Sequence, residues 1–252
     1  MSLDCFAIPV TSSSTECIQA INAYYDAVLA YKPFTEWAIA DAAVEADGGC
    51  PLAKVLAADY AHCSGKGARA QELLDELQQT LDGAGTGEGL STERERLYLR
   101  AWRQWVCDMN PAGCFATLLE VVQKHPTDLF AVKRGHIMGL ILGSGSKILE
   151  IVEAAASRMQ AIDSVKYLHG MWAFGLEQEG RYEDAEAKAK EGLDLEAKLG
   201  PDAWLDHGFA HALYFQGEDR LEDAVEFLES RSATWSADKL HPFLYTHNWW
   251  HL

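Results

Sequence analysis

Apolar residues recur along this chain at intervals of three and four, the spacing at which side chains share one face of an α-helix. The alternation of apolar and polar residues that marks half-buried strands is missing. Ala, Leu, Glu and Gln dominate, and short breaks rich in Gly, Pro, Ser or Asp, such as Gly83–Gly89, interrupt the pattern. The segments between breaks mostly run for about 11 to 18 residues, so the pattern predicts an all-α fold with one helix per segment.

The predicted helices recur in pairs. In the clearest unit, 178–196, Gly180 allows a tight turn and the small Ala185 lets two helices approach closely. Cys114, Ile148, Ala185 and Ala224 hold the equivalent position in four units and lie 34, 37 and 39 residues apart. A period near 34 is typical of tetratricopeptide repeats. We therefore expect residues 1–252 to form a single tetratricopeptide-like helical-repeat solenoid, an α-α superhelix. It would hold about six helix pairs, of which the two near 15–49 and 51–81 are looser, and a final unpaired helix from about Ala237.

Six stretches resemble the tetratricopeptide repeat protein 38 family and keep the family's order: STERERLYLRAW, HPTDLFAVKRGH, YLHGMWAFGLEQEGRYEDAEAKAKEGL, DAWLDHGFAH, FLESRSATW and THNWWHL. The opening AIPVTSSSTECIQAINAYYDAVLAY is similar to the start of that family as well. The resemblance covers essentially the whole chain. It implies a soluble helical-repeat protein, of which this chain resembles the N-terminal part, and it implies a fold more than an activity.

Charge and composition limit the classes of partner that the protein is expected to bind. The chain has 38 acidic and 21 basic residues, a formal net charge of -17, which disfavours nucleic acids and anionic membranes. No apolar run approaches the roughly 18 residues of a membrane span, and the N-terminus lacks the features of a signal peptide. We therefore expect a cytoplasmic protein. Its six cysteines, with no pair at metal or redox spacing, are expected to be reduced and mostly buried.

Two histidine pairs are the strongest candidates for chemistry. His207 and His211 lie four residues apart, as do His247 and His251, so each pair shares one helix face. If both pairs lie on the first helices of successive repeats, they face the same concave side. The four imidazoles would then suit zinc or another transition metal. Further candidates for contacts with a ligand in the groove are His136, His169, Trp172 and Asn248.

Three functions remain open on this evidence. The first, which we favour, is a scaffold that binds a protein or peptide in a concave groove and needs no cofactor. The second is a metal- or small-molecule-binding enzyme that uses the four histidines. However, neither HxxxH pair holds the glutamate of zinc proteases, so no catalytic residue is predicted. Histidines that only pack in the core or contact a ligand directly are the simpler alternative to a metal site.

The third function is self-association through the last helix. A capping helix of a solenoid should be polar outside, yet this one carries Trp249 and Trp250. Stacking of two copies would bury both rings, which predicts a homodimer. A nucleotide site is not predicted, because the Gly-rich GSGSK (143–147) lacks phosphate-loop spacing. There Ser144 or Ser146 is expected to cap a helix.

Overall fold

The computed structural model describes residues 1–83, 90–159 and 165–252, and most of them are helical. The short strands β1 (Ser2–Leu3) and β2 (Pro9–Val10) pair antiparallel, with Ser2 opposite Val10. The prediction of an all-α helical-repeat fold is confirmed. The predicted loop over Gly83–Gly89 lies outside the described residues except for Gly83. No described helix is both long and apolar enough to span a membrane.

Contacts between Cα atoms divide the chain into two compact units. Unit one comprises residues 1–28 and 34–131, and unit two comprises 29–33 and 132–252. The four candidate metal ligands all belong to unit two. The interpretation of the chain as a single solenoid stays a prediction.

Unit one is built from short helices that pack on their sequence neighbours, α4 on α3 and α5, and α7 on α6. The last residue of α1 and most of α8 belong to unit two. The bounds are α1 Thr15–Leu29, α2 Phe34–Trp37, α3 Ile39–Ala46, α4 Pro51–Cys63, α5 Gly67–Gly83, α6 Glu93–Trp102 with a π-helical turn over Arg103–Cys107, α7 Pro111–Lys124 and α8 Leu129–Ile141.

A buried arginine ties unit one together. The Arg94 guanidinium, in α6, lies 2.7 Å from the Asp4 carboxylate and 3.1 Å from that of Asp128, and all three side chains are almost inaccessible. The Tyr98 hydroxyl donates a further hydrogen bond to Asp128, at 2.7 Å. The N-terminal segment and the residue before α8 are thereby fixed to α6. Removing one partner would leave an uncompensated buried charge.

Helices α9 to α14 belong to unit two together with most of α8, and α10 lies against α9, α11 and α12. As expected for GSGSK, the Ser144 hydroxyl accepts a hydrogen bond from the Lys147 amide and caps α9. The bounds are α9 Gly145–Ala156, α10 Leu168–Gln178, α11 Tyr182–Leu199, α12 Ala203–Tyr214, α13 Leu221–Arg231 and α14 Pro242–His251.

The small repeat positions are buried as the sequence predicts. Ala185 is fully buried against Leu149, Leu176 and Ala212, where four helices of unit two meet. Gly180 turns the chain from α10 to α11 with φ of +73°, a conformation that a residue with a Cβ adopts only at a cost. Cysteine burial is less complete than predicted: Cys17, Cys50 and Cys114 are buried, whereas the other three are exposed or half-buried.

One carboxylate links α11 to the connection between α12 and α13. Glu186 of α11 accepts hydrogen bonds from the Arg220 guanidinium at 2.9 and 3.0 Å, from Lys190 at 2.7 Å and from the Gln216 side chain at 2.7 Å. The Arg220 hydrogen bonds, followed by those of Lys190 and Gln216, lower the pKa of Glu186 to about 2. The carboxylate therefore stabilises the folded state only while it is ionised.

We predict that Glu186→Gln lowers the free energy of unfolding by about 1–2 kcal/mol at pH 7, because charge-assisted hydrogen bonds are lost at a partly solvated site. The folded pKa lies below the unfolded value of about 4.3, so this contribution is complete above that value and is lost as the pH falls towards 2. Urea unfolding at pH 7 and pH 3 measures the difference. An equal loss at both pH values would contradict it.

Candidate metal centre formed by four histidines

Helix α12 positions the first histidine pair. The Asp202 side chain accepts a hydrogen bond from the Trp204 amide at 3.0 Å and caps the helix. His207 and His211 follow on one face, one turn apart. His207 is buried and His211 half-buried.

Close packing on α10 fixes where that face lies. A Cβ at Gly170 of α10 would stand 2.8 Å from the Leu205 amide nitrogen and 2.9 Å from the Leu205 Cα. These distances are shorter than real side chains tolerate, so only glycine allows α12 to lie at this distance. The orientation of the first pair therefore depends on a residue outside its own helix.

Helix α14 positions the second pair. Pro242 occupies its first turn, and the His241 ring accepts a hydrogen bond from the Phe243 amide at 3.1 Å. Leu244 and Asn248 are its buried residues, and the Asn248 side chain donates to the Ala203 carbonyl at the start of α12. This contact turns the His247 and His251 face towards α12.

The four rings converge on one point. The Nε2 atoms of His207 and His247 are 3.0 Å apart, those of His247 and His251 also 3.0 Å, and those of His211 and His251 3.1 Å. One nitrogen from each of the four residues lies within 4.8 Å of all the others. Two pairs separated by 40 residues in sequence thus form one compact cluster, which we call the four-histidine cluster.

Hydrogen bonds alone cannot satisfy these contacts. A neutral imidazole nitrogen offers either one N–H or one lone pair. Nε2 of His247 contacts two other rings, and so does Nε2 of His251, so three well-formed hydrogen bonds would need more protons and lone pairs than the four atoms supply. A cation at the centre would instead accept one lone pair from each ring.

Burial favours the neutral form of His207, His247 and His251. Burial, followed by the charges of the neighbouring histidines, lowers the pKa of His207 well below its ordinary value. The same causes lower the pKa of His251 to about 4, and burial followed by His211 lowers the pKa of His247. Neutral imidazole is the form that binds metals, because its lone pair is free.

Aromatic rings hold the histidines in place. His247 stacks on Phe243, with centroids 5.3 Å apart and an interplanar angle of 15°, and on Trp250 at 6.0 Å and 21°. On the buried side, the His207 ring lies 4.6 Å from Trp204 and 5.5 Å from Phe174. The exposed Trp250 ring therefore supports His247 within its own helix.

A buried carboxylate lies next to one ring of the cluster. Oε2 of Glu177, a buried residue of α10, lies 3.6 Å from Nδ1 of His211. If Nε2 of His211 binds a metal, its proton resides on Nδ1 and faces this carboxylate, an arrangement common around metal-bound histidines. Asp206, although next to His207 in sequence, accepts hydrogen bonds from Arg231 and Trp235 instead.

The remaining candidates lie outside the cluster. His136 is fully buried against the rings of Phe174 and Trp204, one aromatic layer from His207. His169 is buried with Nε2 4.0 Å from Glu191. Trp172 is half-buried beneath the Lys188 ammonium, and Asn248 is fully buried in its contact with Ala203. Sequence reasoning missed Glu177 and Phe174, because no local pattern shows that they approach histidines 30 or more residues away. It also missed Trp204, although the three-residue spacing from Trp204 to His207 places both rings on one helix face.

We predict that Gly170→Ala lowers the free energy of unfolding by about 1–3 kcal/mol, because α12 must move away from α10 to admit the methyl group. Urea denaturation measures the change. The matched control is Gly67→Ala in α5, where an added Cβ meets nothing within 4 Å and an effect within about 0.5 kcal/mol is expected. Equal effects at the two sites would show that the α10–α12 packing is looser than described.

No protein-family model matches the chain, and no solved structure matches it. The resemblance to the tetratricopeptide repeat protein 38 family therefore stays a prediction, and the chemistry of the four-histidine cluster is argued from its own geometry.

Proposed function

We propose that the protein binds one transition-metal ion, Zn²⁺ in the first place, through His207, His211, His247 and His251. The observation that carries the proposal is the convergence of four imidazoles whose nitrogens lie within 4.8 Å of one another. The closest Nε2 contacts, at 3.0–3.1 Å, are near the separation of about 3.3 Å that tetrahedral ligands have at zinc–nitrogen bonds of 2.0–2.1 Å. Small rotations of the rings would complete that geometry.

The donor set narrows the choice of ion. Imidazole nitrogen suits zinc, copper, nickel and iron, whereas Mg²⁺ and Ca²⁺ need oxygen ligands that the cluster does not include. Copper(II) binds nitrogen sites more tightly than zinc but favours square-planar geometry. Two ligands from each of two crossing helices suit a tetrahedral ion better, so zinc is the first choice.

The number of ligands points to a structural centre. Structural zinc sites use four protein ligands, while catalytic sites keep one position open for water or substrate. Four histidines fill the shell. Glu177, the buried carboxylate closest to them, lies beside the Nδ1 of His211 rather than opposite an open position, so it fits the role of an outer partner and not of a general base.

Metal content is the decisive test. The untagged protein is purified without added metal, and its metals are quantified by mass spectrometry. About one equivalent is expected, and it should be lost in a His207→Ala, His251→Ala double variant. The control is His125→Ala, which changes a histidine of unit one outside the cluster. Absence of metal in the wild type, together with no heat of binding on titration with zinc, would refute the proposal.

We predict that Glu177→Gln weakens zinc binding about tenfold or more, because the neutral amide accepts the His211 Nδ1 proton less strongly. Competition with a chromophoric chelator measures the affinity. The matched control is Glu179→Gln, an exposed residue two positions away, which should bind zinc as the wild type does. An unchanged affinity in Glu177→Gln would remove this carboxylate from the site.

The scaffold hypothesis remains alongside the metal centre. A helical-repeat architecture is compatible with a scaffold, and a metal centre of structural type does not compete with that role. Binding of a peptide in a concave groove stays a prediction, as does a homodimer through Trp249 and Trp250, whose exposed fractions are 42% and 77%.

A further inference from the structure

We propose that metal occupancy of the four-histidine cluster decides whether helix α14 remains docked on α12, so that the protein responds to the available metal by holding or releasing its last helix. This inference rests on the proposed metal centre. It concerns the consequence of binding, whereas the proposed function concerns binding itself.

Apart from the histidines, α14 has few attachments. Leu244 and Asn248 are its buried residues. Five others are exposed, and half-buried Tyr245 packs with Trp235 and its neighbours. The hydrogen bonds from α14 and its capping residue to other elements include those from Asn248 to the Ala203 carbonyl, at 3.3 Å, and from the His241 amide to the Tyr31 carbonyl.

The cluster itself works against docking when no metal is bound. It brings four partly or fully buried nitrogens together that hydrogen bonds cannot all satisfy, and polar atoms buried without partners oppose folding. A bound ion reverses the sign of this contribution, because two ligands on α12 and two on α14 become one cross-link. The free energy of metal binding is then also free energy of docking.

A released α14 would not persist as a helix. Its ten residues are fewer than the 12 to 15 that an isolated helix needs to be even marginally stable in water. Release would therefore be a transition from order to disorder. It would uncover the ring of Trp235, which is now almost fully buried and contacts Trp249 of α14 with centroids 5.7 Å apart.

Hydrogen–deuterium exchange of the full chain tests this response. The amides of 244–251 are followed with one equivalent of Zn²⁺ and with excess chelator, while metal content is measured in the same samples. We expect exchange at least tenfold slower with zinc, with α10 as an internal reference that does not change. If zinc binds but α14 exchanges equally slowly in the chelator, this inference is wrong and the metal centre stands. If zinc does not bind, both proposals are overturned.

A variant sharpens the test. Asn248→Ala keeps all four ligands but removes the hydrogen bond to Ala203. In the chelator, α14 of the variant is expected to exchange faster than α14 of the wild type. With zinc, it is expected to exchange at the rate of the zinc-bound wild type. Fast exchange that zinc does not restore, in a variant that still binds zinc, would mean that Asn248 and not the metal holds the helix, which contradicts the inference.

Discussion

The close contact between α10 and α12 is the constraint on which unit two depends. Gly170 brings the backbone of α12 against α10, and this distance sets where the His207 face points. Helix α10 is buried along almost its whole length, so it cannot yield easily to a change in its neighbour. It also carries Glu177, which reaches the outer side of His211. Helix α10 therefore fixes the first histidine pair and also carries Glu177, the carboxylate beside it.

The two units differ in how their buried polar groups are paired. In unit one the Arg94 guanidinium contacts the oppositely charged carboxylates of Asp4 and Asp128. In unit two the nitrogens of four imidazoles approach one another, and no charged group of the described residues lies at their centre. Oppositely charged groups of the protein thus face each other in unit one. In unit two like groups, the imidazole nitrogens, face one another, and this difference is the main physical reason to propose a binding site there.

Much of this site could be predicted from sequence because its parts are local. Four-residue spacing places two histidines on one helix face whatever the fold, and the repeat period indicates that equivalent helices meet. The contribution of Glu177 could not be predicted, since it depends on the α10–α12 crossing. Burial of His136 and His169 could not be predicted either, because a histidine in a first helix fits a groove and a core equally well. The aromatic end HNWWHL is partly explained by the Trp250 ring, which stacks on His247.

The four-residue spacing within each histidine pair limits how this chain can vary. His247 follows His207 by 40 residues, and His251 follows His211 by the same number. What the cluster requires is rotational phase within α12 and within α14, not the length of chain between them. Lengthening the turn after α13 would leave the ligands in phase. One residue inserted between His207 and His211 would rotate the second ring by about 100° around the helix axis and remove it from the cluster.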